Sequence, residues 1–169
     1  MQIIRWFLDL WVPEKPEPPR PRIPPEPDIN ADAPVLERLK ARWLREGTDP
    51  YPPEPPERVR QVFRELGFEA TPDVIEMYGV IGGMDMPDNV FWRLWPLDEI
   101  SAEPPREHGV VFSDYMLSCW NYFLSPVSAE QSAVYVYHYD SRPPILVAPS
   151  LEAFFERYLA EGENFMNCC

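Results

Sequence analysis

Leu36, Leu39, Trp43 and Leu44 recur at i, i+3, i+7 and i+8, an apolar stripe set between polar positions. That spacing predicts a helix over about 33–46, with Asp32 as N-cap, Pro34 in the first turn and Gly47 as the stop. Val59, Val62, Phe63 and Leu66 repeat the pattern and are closed by Gly67. Thr71-Pro72-Asp73 then reads as a helix start: a hydroxyl cap, a proline at the first helical position and an acid in the positive first turn. Val74, Ile75, Tyr78 and Ile81 would be its inner face, and Gly82-Gly83 would end it, most simply as a left-handed helix terminus.

Beyond the glycine pair the helical period gives way to short β-prone runs at Val90–Trp95, Val110–Phe112, Met116–Leu124, Ala133–Tyr139 and Ile145–Ala148. Ser150 caps a last helix with Leu151, Phe154, Phe155, Tyr158 and Leu159 on one face and Gly162 beyond it. This order predicts an α+β fold: a mostly antiparallel sheet of about five to six strands flanked by helices.

Proline divides the chain. Fourteen of its 23 prolines fall in residues 1–56, so the expected organisation is a Pro-rich N-terminal arm with one helix (1–56) and an α+β domain (57–169). Pro13 to Pro27 fits an extended polyproline-like segment, read as a stiff spacer or strap in preference to a ligand for SH3 or WW domains. Met1 to Val12 is apolar but broken by Arg5 and Asp9, and it falls well short of the roughly 20 residues that span a bilayer. It also lacks a secretory cleavage pattern and would dock on the domain or on a second copy of it. No other stretch reaches about 18 uninterrupted apolar residues, so no membrane association is expected.

Charge sharpens the picture. The 169 residues carry a net −13. Residues 57–169 hold seven Lys and Arg against 18 Asp and Glu, a net −11, and residues 1–56 hold eight against ten, a net −2. No lysine follows Lys40, and only Arg93, Arg106, Arg142 and Arg157 follow Arg64. Phosphate backbones and anionic membranes favour clustered cations, so neither is expected as a direct ligand; a basic protein is the partner such a field would steer. The three cysteines, Cys119, Cys168 and Cys169, make no disulfide framework and point to a reducing cytosol, with Cys119 expected buried in its apolar run.

Motifs for catalysis are missing. His108 and His138 have no second ligand at metal spacing, and no phosphate-cradling, dinucleotide, zinc-protease or nucleophile-elbow signature occurs. Acid pairs such as Asp98-Glu99 are what chance supplies in so acidic a chain, so no cofactor and no enzymatic activity are expected. Tyr135, Tyr137 and Tyr139 alternate with Val134, Val136 and His138, so one strand face carries three tyrosines, as a binding platform or under a helix.

Four segments in this order resemble the SUKH superfamily, the Smi/Knr-type fold: ERVRQVFRELGFEATPDVIEMYGVIGGM (57–84), FWRLWPLDEI (91–100), GVVFSDYMLSCWNYFL (109–124) and AVYVYHYDSRPPILVAPSLEAFFERYLAEG (133–162). The shared features are a helix ending in Leu-Gly, a proline-started helix running to a glycine pair, and a strand leading to Trp-x-x-x-Glu-Ile. A Phe-x-Asp strand and a Ser-x-x-x-Phe helix complete the set. Ile81 departs from the pattern, which often has a polar residue before the glycines, and the N-terminal arm lies outside it. The resemblance implies a fold without catalytic residues. Bacterial members look like cytoplasmic immunity proteins that neutralise toxin domains, often nucleases, by occluding them; eukaryotic relatives look like regulatory or scaffolding modules. By family position the partner-binding residues would be Gly83, Asp85, Asp88, Trp95, Asp98, Glu99, Asp114 and Tyr115. Among these, Asp85 and Asp88 are expected at the surface, Trp95 also fits a core position, Asp98 the cap of a short helix over Leu97–Ile100, and Asp114 the cap of a turn.

Overall fold

Two of the helices begin where a proline removes a donor that the first turn does not use. The computed structural model describes residues 32–103, 107, 109–137 and 143–162. Within them lie helices α1 (Val35–Glu46), α2 (Pro56–Glu65), α3 (Pro72–Val80), α4 (Leu97–Ala102) and α5 (Leu151–Glu161). The strands are β1 (Trp92–Leu94), β2 (Val110–Tyr115), β3 (Trp120–Pro126), β4 (Ser132–Tyr137) and β5 (Ile145–Ala148). They form one sheet in the order β1-β2-β3-β4-β5, every neighbouring pair antiparallel. The fold is α+β with a five-stranded antiparallel sheet. The apolar segment Met1 to Val12, the polyproline run, His108, His138, Tyr139 and the C-terminal cysteine pair lie outside the described residues.

The core sits between one sheet face and the helices α1, α3 and α5, which pack on one another. At its centre Trp92 of β1 stacks on Trp43 of α1, ring centroids 5.6 Å apart, and meets Phe112, Phe154, Phe155 and Tyr158 edge-on or tilted. Leu36, Leu39 and Trp43 are all buried in this cluster. The helix assigned from sequence to the N-terminal arm lays its apolar stripe on the domain, in the same core as α3, α5 and β1. The linker that follows it is pinned too. Tyr51 N–H donates to the Gly83 carbonyl at 2.8 Å, Gly82 N–H to the Tyr51 carbonyl at 3.1 Å, and Glu54 N–H to the Tyr78 carbonyl at 2.9 Å.

Several local expectations are corrected. Pro34, not Asp32, occupies the N-cap position of α1: its fixed φ of −51° starts the helix, and its carbonyl accepts from Glu37 and Arg38 N–H at 3.0 and 3.1 Å. Thr71 stands at the N-cap of α3, but its hydroxyl bonds Asp73 and Ser132 rather than the helix amides. The Asp73 carboxylate also accepts from Ser132 N–H at 2.9 Å, tying α3 to β4. α3 does not end in a left-handed residue: its C-cap, Ile81, is extended. The glycine pair answers a packing demand instead. A side chain at 82 would overlap the Pro52 carbonyl, and one at 83 would stand 2.6 Å from Pro96 Cα, with φ at +119°. The Met116–Leu124 run is not one strand, for residues 116–119 turn and β3 starts at Trp120; Cys119, expected buried, is exposed in that turn.

Candidate functional site

The register of β1 against β2 sets Arg93 opposite Asp114 on the sheet face away from Trp92. Arg93 Nε donates to Asp114 Oδ2 at 3.2 Å, and its two terminal nitrogens reach Glu99 of α4 at 3.1 and 2.8 Å in a two-pronged pair. A further bond runs from Arg93 to the Asp85 carbonyl at 3.4 Å. The Trp95 indole N–H donates to Asp114, and Arg93 lies 5.8 Å from the Trp95 ring centre. The other oxygen of Asp114 accepts from Ser118 N–H at 3.1 Å, fixing the β2–β3 turn. One buried carboxylate thus gathers an arginine, a tryptophan and a turn amide, and two carboxylates, Asp114 and Glu99, share a single cation in this corner.

Above that network the backbone is unusual. Phe91, Met116, Leu117 and Ser118 all have positive φ, at 64°, 52°, 55° and 67°. Met116 N–H donates to the Phe91 carbonyl at 2.9 Å, so the two strained segments adjoin. Their side chains point into solvent: Phe91 is 61% exposed, Met116 48% and Leu117 78%.

An open cleft of roughly 640 Å³ lies between the linker after α1 and the loop after the glycine pair, which it follows as far as Asn89. Glu46, Asp49 and Asp85 line it together with Tyr51 and Met86. A second cleft, roughly 360 Å³, opens where α1, α3 and α5 begin, and Asp73, Glu76, Glu130 and Glu152 line it. No lysine or arginine lines either cleft among the described residues. A third groove, between α1 and the end of α5, is mixed, with Arg38, Arg42 and Arg45 beside Glu46 and Glu161.

Asp88 belongs to the interior. Its Oδ1 accepts from Val90 and Trp92 N–H, each at 3.0 Å, while Oδ2 accepts from the Trp43 indole at 3.0 Å and from the Tyr158 hydroxyl. Burial pushes its pKa up to about 6; the hydrogen bonds pull against that rise and the charge of Glu46 adds to it. Burial likewise raises the Tyr78 hydroxyl, which donates to the Trp95 carbonyl at 3.0 Å.

Of the eight residues named from sequence, Glu99 and Asp114 meet around Arg93 through their carboxylates, Asp85 touches it only through its backbone carbonyl, and Trp95 joins them through Asp114. Asp98 stands apart at the surface, paired with Arg58 of α2. Gly83 is buried against Pro96, and Tyr115 is buried with its ring stacked on Trp120, centroids 5.2 Å apart. Asp88, expected at the surface, is 5% exposed. The expectation fails because this carboxylate satisfies two amides of its own turn and two donors from distant helices. Tyr135 and Tyr137 stack on Phe123, centroids 5.4 and 4.4 Å apart, on the sheet face opposite the one that Tyr122 turns toward Phe154.

Sequence reading missed Arg93, Phe91, Met116 and Leu117. The one available signal was the hydrophobicity of positions 116 and 117 next to Asp114, which suits a strand equally well. Among the described residues no helix is long and apolar enough to cross a membrane, and no group of three or more His, Cys, Asp or Glu is placed to hold a metal ion. No protein-family model matches the chain, and the comparison with curated proteins finds no match.

Proposed function

We propose that the chain is a non-catalytic, cytoplasmic protein-binding module of SUKH type, an immunity protein that neutralises a toxin domain by occluding a cationic surface, a nuclease groove being the fitting class. The observation that carries this reading is the placement of charge. Asp49 and Asp85 line one concave surface and Asp73, Glu76, Glu130 and Glu152 another, neither with a lysine or arginine in its lining, whereas Arg38 and Arg58 are tied into ion pairs and Arg42 is paired with Glu46 at the edge of the first. A concave anionic surface accepts protruding Lys and Arg side chains and accelerates their encounter by electrostatic steering, and the resulting association weakens as salt screens it.

Growth rescue tests this reading. A toxin domain encoded next to this gene is expected to arrest a host cell when expressed alone, and co-expression of the chain to restore growth. Changing Asp49→Asn and Asp85→Asn together should slow association by about tenfold at low salt while leaving the fold intact. Rescue indifferent to those charges, or a neighbouring gene of unrelated housekeeping function, would turn the reading toward a regulatory or scaffolding module. Truncation tests of the N-terminal region must stop before α1, because removing residues 32–56 would strip Leu39 and Trp43 from the core.

A further inference from the structure

A turn that demands three successive left-handed residues is normally filled by Gly, Asn or Asp, since an L side chain there costs about 1 kcal/mol or more per residue. The β2–β3 turn holds Met116, Leu117 and Ser118 instead, and Phe91 sits in the same conformation alongside. Glycine would close the same turn with less strain, and Phe91 and Leu117 stand mostly in solvent while Met116 is about half exposed. Strain and apolar exposure therefore coincide at one place, held rigid by the Asp114–Ser118 and Phe91–Met116 bonds.

We infer that Phe91, Met116 and Leu117 form an apolar wedge that inserts into a pocket on a partner protein whose rim carries Lys and Arg. The inference rests on the protein-binding reading above and deepens it. Charge selects the occupant. At the foot of the wedge Glu99 and Asp114 outnumber Arg93, and the cleft lined by Asn89, two residues before Phe91, adds Asp49 and Asp85. Such a surround repels anionic headgroups and attracts a cationic protein rim. A preformed apolar anchor within a charged ring matches the energetic centre of many interfaces, because little side-chain or loop entropy remains to be lost on binding.

Leu117→Gly and Phe91→Gly remove the side chains at positions whose φ glycine adopts freely, so both variants should fold, checked by circular dichroism and melting. The probe is a displayed library of random short peptides selected against the full chain. The expected peptides combine aromatic or aliphatic residues with an excess of Lys and Arg, and they lose about tenfold or more in affinity for either glycine variant. Cationic peptides that bind the variants and the parent equally would overturn the wedge while leaving the anionic-cleft reading standing. Selected peptides without a cationic excess would sink the shared premise of a basic partner, and the wedge with it. Co-sedimentation of the parent, but not of Leu117→Gly, with phosphatidylcholine or phosphatidylcholine–phosphatidylserine vesicles would replace the protein partner by a membrane.

Discussion

The aromatic body around Trp92 and the β2–β3 tip lie on the same strands, yet they obey opposite rules. In the body, the local pattern and the tertiary packing ask for the same residues. The stripes of α1 and α5 bury Trp43, Phe154, Phe155 and Tyr158, and Ser150 caps α5 by accepting from Ala153 N–H at 3.1 Å. At the tip, the backbone asks for glycine and the sequence supplies Met and Leu. Where natural sequences set local preference against conformation, the conflict is concentrated at functional positions, and agreement elsewhere sustains it.

The largest test of this contrast is Trp43→Ala. The side chain is fully buried, stacked on Trp92, and donates to Asp88, so its removal opens a cavity and withdraws a donor from a buried carboxylate. A loss of about 3–5 kcal/mol is expected in urea unfolding. A loss below about 1 kcal/mol would mean that α1 is an appendage after all and that the body does not extend to it.

Next in size is the pH response of Asp88. Its folded pKa of about 6 stands above the ordinary 3.8, so the folded protein holds this proton more tightly than the unfolded chain does. The group's contribution is fully present below pH 3.8 and is lost as pH rises through about 6, opposite in sign to a salt-bridged carboxylate. The span is worth at most about 3 kcal/mol. The groups around it are Trp43 and Tyr158, with Glu46 acting at longer range and Arg42 placed over the Tyr158 ring at 5.4 Å. Asp88→Asn does not titrate, so the stability of the parent relative to this variant should fall across that window. A flat difference would show that Asp88 is not desolvated and that the body is looser than its packing implies.

These two residues also show what can be read from a chain. The helices α2 and α5 were legible because apolar spacing, caps and closing glycines lie within a dozen positions of one another, and the alternation of β4 was legible for the same reason. The burial of Asp88 was not, because its side-chain donors lie 45 and 70 positions away, and nothing within the DNVFW segment announces them. The role of Gly82 was hidden likewise: the atom that forbids a side chain there belongs to Pro52, across the whole of α2 and α3. The tip was illegible for a different reason. A turn built without Gly, Pro, Asn or Asp looks like uninterrupted strand, and Cys119 accordingly looked buried. Around Arg93, Glu99 and Asp114 had been named only from the resemblance, whereas Arg93, which joins them, drew no notice as a lone cation in an apolar run.

The smallest effect is the most discriminating. Leu117 is 78% exposed with φ at 55°, so replacing it with glycine removes little packing and relieves a left-handed strain. Part of that relief is offset by the extra freedom glycine gives the unfolded chain, which costs roughly 0.5–1 kcal/mol. The net expectation is a gain near 1 kcal/mol or less, read as an unchanged or slightly raised Tm, in contrast to the large loss at Trp43. The stability of the variant then bears directly on the purpose of the tip. If Leu117→Gly folds as well as the parent or better, the leucine is there for something other than the fold. If it unfolds more readily by about 1 kcal/mol, Leu117 is packing against the body, and the two regions obey one rule.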